Sequence, residues 1–155
     1  MAYMEWTEAM SVGLPELDDD HKVLIRIINQ LARNVGDQAD EEVLRSSLVG
    51  LMRYAEFHFA REEKVMSASD YVEIAGHKHE HVGFIDKIRD ITRELEDAED
   101  AMPETINESL LAFLKEWLNH HILIVDMSYR PYVEGKARLR KIAQDFDAAE
   151  VWWSA

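Results

Sequence analysis

LRSSLVGLMRYAEFHFAREEKV, residues 44–65, is the stretch whose reading decides the fold. Leu44, Leu48, Leu51, Ala55 and Val65 recur at the three-and-four spacing of one helical face, and His58 and Glu62 occupy the remaining steps of that same stripe. An imidazole and a carboxylate are thus predicted on the buried side of a helix. Burying such groups without partners costs several kcal/mol, so the stripe calls for complementary groups from other helices.

The rest of the chain supplies them. Leu17, His21, Leu24, Ile28, Leu31 and Val35 form a first helical stripe, with Asp18 to Asp20 as N-cap and first-turn acids and Gly36 as its stop. The second, already quoted, begins after Asp40 and is interrupted by Ser67 to Asp70. From about Tyr71 a third runs through Ile74, His77, His81, Phe84, Ile88, Ile91 and Leu95 to an acidic loop before Pro103. Pro103 suits the first turn of a fourth helix. Two apolar stripes fit that helix, Ile106-Leu110-Phe113-Trp117-His120-Ile124 and Leu111-Leu114-Leu118-His121-Val125, so it reads as central. Strand alternation and sequence repeats are missing. The pattern predicts an all-α protein, an up-down-up-down four-helix bundle over about 17–132 within one domain spanning 1–155. Residues 1–16, with Trp6 and Pro15, read as an irregular arm. Leu139, Ile142, Phe146, Ala149 and Trp153 predict an additional, docked C-terminal helix within about 133–155.

Composition narrows the chemistry. With no cysteine, a metal site has only imidazole and oxygen donors. Seventeen basic against 31 acidic residues give a formal net charge of -14, which disfavours nucleic acid and anionic membranes as partners. No apolar run approaches the roughly 20 residues of a membrane span, and Met1 to Met10 lacks a basic region followed by an apolar core. The expected location is cytoplasmic.

A single histidine on an apolar face, such as His21 or His121, is more often a hydrogen-bonded core residue than a metal ligand. The pair His77 and His81 is stronger, because side chains four apart project from one helix face and can hold one ion together. His58 with Glu62 repeats the form. The bland alternatives are a solvated His-Lys-His patch and a surface ion pair, and the flanking Ile74, Phe84, Ile88, Ala55 and Val65 argue against both. Shared coordination of metal accounts for all of them at once.

The residues now resemble a known family. Asp18-Asp19-Asp20-His21-Lys22-Val23-Leu24, His58-Phe59-Ala60-Arg61-Glu62-Glu63, His77-Lys78-His79-Glu80-His81 and Trp117-Leu118-Asn119-His120-His121-Ile122, followed by Asp126, are similar in order and spacing to the hemerythrins, in particular the single-domain bacteriohemerythrins. The resemblance covers roughly residues 1–132. It implies a non-haem di-iron centre with an oxo or hydroxo bridge, one iron held by His77, His81 and His121 and the other by His21 and His58. Glu62 and Asp126 would bridge the two. The second iron then keeps an open position for dioxygen, in a pocket lined by Trp117, Leu118 and Ile122.

Two points stay open at the level of sequence. Periodicity does not choose between His120 and His121; the Trp-Leu-x-x-His-Ile pattern of the resemblance selects His121. His121 and Asp126 are five apart, about 140° around a regular helix, so either they straddle the seam or a π-type bulge realigns them. The implied function is reversible dioxygen binding for storage, transport or delivery, without an enzymatic role. An oxygen or redox sensor acting on a partner, a di-iron peroxidase or oxidase, and a zinc or manganese site are the alternatives.

Overall fold

The computed structural model describes residues 2–34, 41–97 and 104–151, the side chains of 104–107 excepted. Its long helices are α1 (Pro15–Arg33), α2 (Glu41–Ala68), α3 (Ile74–Asp97) and α4 (Glu104–His120). A π-helical turn, His121–Val125, and a 3-10 turn, Asp126–Ser128, prolong α4 into the short α5 (Arg130–Val133), and α6 (Ala137–Asp145) follows. No strand occurs among the described residues. The expected positions of Val35, Gly36, Asp40, Pro103, the side chain of Ile106, and Trp153 lie outside them.

Chain direction can be read from the core, which is split into two apolar clusters. One contains Leu24, Ala55, Phe59, Phe84, Leu118 and Ile122; the other contains Leu17, Val65, Met66, Tyr71, Tyr129 and Val133, with Ile74 packed against it. Helix α1 passes from the second cluster to the first, α2 from first to second, α3 back, and the α4 stretch returns from Leu118 to Tyr129. The four helices therefore alternate up and down, as expected. Between the clusters lie His21, His58, Glu62, His77, His81, His121 and Asp126, all buried. A polar layer divides an apolar bundle.

The start of α1 departs from the sequence expectation. Pro15 takes the first helical position, where its fixed φ fits and its missing N–H is not needed. Leu14 is the N-cap and gives no side-chain hydrogen bond. Asp18 instead accepts hydrogen bonds from Ser11 Oγ at 2.6 Å and the Val12 amide at 2.9 Å, fastening the N-terminal arm. Asp20 is buried and turned inward. None of the three aspartates is thus the N-cap, although Asp18 does stand in the first turn as expected. At the same end of the bundle α2 stops at Ala68, and Asp70 takes a left-handed φ of 61° while the Tyr71 amide bonds back to Met66.

The C-terminal segment is helical over less than its stripe. Leu139 and Ala143 are buried from α6, but Phe146 is extended and Ala149 sits in a separate 3-10 turn. The competing local chemistry is a capping box, in which the Asp147 side chain accepts from the Ala149 amide and Glu150 accepts from the Asp147 amide. This tail lies along α2 and α1. Phe146 packs 5.5 Å from the Phe57 ring, Lys64 pairs with Glu150, and Arg140 and Gln144 both reach Glu16.

Candidate metal centre

The spacing of four along α2 places His58 and Glu62 one turn apart on the inward face, and α3 does the same for His77 and His81. Helix α1 contributes His21. The α4 stretch solves its own register problem with the π turn: the Asp126 amide donates to the His121 carbonyl, five residues back, and the extra residue swings Asp126 onto the face of His121. His121 Nε2 and Asp126 Oδ1 are 3.0 Å apart. Of the two alternatives for this pair, the bulge is what the chain adopts. His121 is buried and His120 is exposed.

The donors sort into two groups around the two oxygens of Glu62. Oε1 lies 2.8 Å from His77 Nε2, 3.0 Å from His81 Nε2 and 3.8 Å from His121 Nε2. Oε2 lies 3.2 Å from His58 Nε2 and 3.7 Å from His21 Nε2. Asp126 divides likewise, with Oδ1 3.1 Å from His77 and Oδ2 3.2 Å from His21. Within the groups, His21 and His58 Nε2 are 3.1 Å apart and His81 and His121 Nε2 are 3.2 Å apart. Two carboxylates thus each show one oxygen to a three-imidazole set and one to a two-imidazole set.

Those distances suit a cation better than a hydrogen-bond network. Adjacent donors on an octahedral ion with bonds of about 2.1 Å stand about 3.0 Å apart, and five imidazole nitrogens aimed at common points have few protons to share. Both oxygens of Asp126 are buried without a hydrogen bond among the described residues, although three histidine nitrogens lie within 3.2 Å. A buried carboxylate in that condition is anomalous unless something else engages it. The residues present fit a pair of metal ions.

Outward-facing nitrogens fix the rings. His58 Nδ1–H donates to Asp20 Oδ2 at 2.9 Å and His81 Nδ1–H to Glu63 Oε2 at 2.9 Å, which leaves each Nε2 directed inward. Glu80 Oε2 lies 3.8 Å from His121 Nδ1. The fully buried Tyr129 donates from its hydroxyl to Glu62 Oε2 at 3.0 Å. Two rings also brace the three-imidazole set: Phe59 stacks on His81 at 3.9 Å and Trp117 on His121 at 4.4 Å, nearly parallel in both cases. Leu118 and Ile122 are buried beside them in the apolar cluster that holds Phe59 and Phe84.

Charge in this layer is short of positive. Burial works against ionised Glu62, but the His58 charge and hydrogen bonds from the histidines outweigh it and hold Glu62 well below the usual carboxylate range. Burial and the neighbouring Glu62 both act to raise Asp126, yet His121 and His21 bring it down. Burial likewise disfavours the imidazolium forms, and the carboxylates overturn that, carrying His58 and His121 up to about 10 and His77 to about 9. Protein alone draws protons into the layer. A divalent cation at the same points would replace them.

Sequence reasoning singled out each of the seven residues that meet here. It missed Tyr129, and it read Asp20 only as one of the N-cap and first-turn acids of its helix. The Asp20-His21 adjacency offered no signal for its contact with His58 on another helix, and Phe59 stood inside a quoted motif without an assigned task.

A helical bundle with a buried layer of five histidines and two carboxylates defines a protein class that holds cations in the bundle core. The profile of the hemerythrin HHE cation binding domain matches residues 12–133, and the chain belongs to that family. A bacteriohemerythrin of Methylococcus capsulatus is 30% identical over 132 residues, covering 84% of this chain and 97% of its own. A myohemerythrin of Riftia pachyptila is 29% identical, covering 81% and 89%. The crystal structure of a wild-type hemerythrin superposes with a TM-score of 0.73 at 26% identity, over 85% of this chain and 98% of that one. Residues 134–151 lie beyond the family match. No helix among the described residues is long and apolar enough to cross a membrane.

Proposed function

We propose that this chain binds dioxygen reversibly at a di-iron centre and serves oxygen storage, transport or delivery, with no enzymatic turnover. In this reading His77, His81 and His121 hold one iron, His21 and His58 the other, and Glu62 and Asp126 bridge them. The observation that carries it is the division of donors: both oxygens of each carboxylate face opposite imidazole sets, three on one side and two on the other. When bound there, iron would supply the reversible electron transfer that dioxygen binding needs.

The protein's own residues do the rest. By donor count, the smaller set would leave the ion on its side one ligand short, a position for an exogenous ligand. Five neutral imidazoles lend less negative charge than a carboxylate-rich set, which disfavours highly oxidised iron and with it oxygen activation. Phe59 and Trp117 cover the three-imidazole set, and Leu118 and Ile122, buried beside them, are the apolar side chains that would line the oxygen pocket with Trp117; exclusion of solvent there would restrain both proton entry and displacement by anions. Asp20 and Glu63 hold their histidines in one tautomer.

The test is optical. Protein loaded with ferrous iron in the absence of air should gain visible bands on oxygenation and lose them on degassing, over repeated cycles at constant iron content. Bands that form once and never fade would replace the carrier with an oxidase or a site that simply rusts.

A further inference from the structure

The two imidazole sets differ in what stands behind them. On the three-imidazole side, Glu63 and Glu80 are the outer carboxylates, and their side chains are 28% and 40% exposed. Water screens both. On the two-imidazole side His21 Nδ1 has no hydrogen-bond partner among the described residues, whereas His58 Nδ1–H meets Asp20, whose side chain is 4% exposed. The other oxygen of Asp20 accepts the Tyr54 hydroxyl at 2.9 Å, and Arg61 Nε lies 3.4 Å from the first. A charge-assisted hydrogen bond in a dry setting is worth more than one at the surface.

We propose that Asp20 is a positioning residue that makes His58 the strongest imidazole donor of the pair with the open position, and that the Tyr54 hydroxyl sets how much of the Asp20 charge reaches it. The proposal rests on the di-iron reading of the same layer. An anionic acceptor behind an imidazole raises its basicity and favours the more highly charged metal; a hydrogen bond to that acceptor from elsewhere draws charge back. Asp20 and the Tyr54 hydroxyl therefore act on His58 with opposite sign. Burial and the Asp20 charge together push the Tyr54 hydroxyl well above the usual tyrosine range, so it stays a donor.

The experiment compares Asp20→Asn and Tyr54→Phe with wild type by iron content and by the midpoint potential of the iron in a spectroelectrochemical titration. Asp20→Asn should bind iron roughly 10- to 100-fold more weakly and move the potential positive. Tyr54→Phe keeps the ring and removes one hydrogen bond from Asp20, so it should move the potential negative at full iron load. Unchanged potentials in both, or shifts of the same sign, overturn the proposal. If Asp20→Asn fails to load iron, the sign of the Tyr54→Phe shift decides alone. A wild type that takes up no iron sinks the di-iron reading instead. The pairing is then read in metal-free protein from the His58 Nδ1 proton, whose exchange with water should quicken in Asp20→Asn and not in Glu63→Gln; equal exchange in all three overturns it.

Discussion

Tyr129→Phe isolates one hydrogen bond at the centre of the molecule. The hydroxyl donates to Glu62 Oε2 at 3.0 Å from a fully buried ring. Phenylalanine preserves the contacts of that ring with Tyr71 and His77, 6.3 and 5.6 Å between centroids, so the packing change is confined to the oxygen atom. Glu62 Oε2 is not orphaned, since His58 Nε2 stays 3.2 Å away. The cost is therefore that of a lost hydrogen bond to a charged group, about 1.5–3 kcal/mol, and not the larger penalty of a stranded carboxylate. For a domain of this size each kcal/mol moves the midpoint by about 2–4 °C, so the metal-free variant should melt roughly 3–12 °C below wild type. Thermal unfolding of both metal-free proteins by circular dichroism measures this, with far-ultraviolet spectra confirming equal helix content. Midpoints within about 1 °C would show that the Tyr129 bond carries no stability and that the layer does not depend on it.

Other outcomes follow from the same geometry. His121→Ala should lose most bound iron while His120→Ala keeps it, as measured by metal analysis after gel filtration, because only His121 faces Glu62 and Asp126; the reverse result would move the ligand by one residue. Deleting residues 136–155 removes the docked Leu139 and Ala143 and uncovers the apolar surface beneath them, so the truncated protein should melt earlier or self-associate in light scattering while still loading iron. Metal-free protein should lose stability as pH climbs from about 7 past the raised values of His77 near 9 and of His58 and His121 near 10. Groups whose folded pKa is raised stabilise fully below their unfolded value, about 6.5, and stop doing so above the folded one. Urea melts across that range that hold a constant midpoint would contradict the assignment of charge.

Much of this was legible because burial and helical period are the same signal. The stripe through Leu44, Ala55, His58, Glu62 and Val65 reads as inward on a helix, and the same argument on two further helices added His21, His77 and His81; His121 over His120, and Asp126, came from the family resemblance. Three features resisted for separate reasons. The place of Asp126 depends on an inserted π turn, which no side-chain pattern announces, since its hydrogen bonds are all backbone. Asp20 sits beside His21 among acids that resemble a helix start, and its partner is on α2, so only tertiary contact reveals the task. Phe146 and Ala149 continue the apolar period of α6, but the Asp147–Glu150 capping box wins locally and ends the helix early.

The central claim is a pair of ions sharing Glu62 and Asp126. Iron-edge X-ray absorption on fully loaded protein, with iron and protein quantified in the same sample, tests it most directly. The expected result is about two irons per chain, each with mixed nitrogen and oxygen neighbours and a second iron at a separation of about 3.5–4 Å or less. One iron per chain, or two with no iron neighbour, would contradict the account.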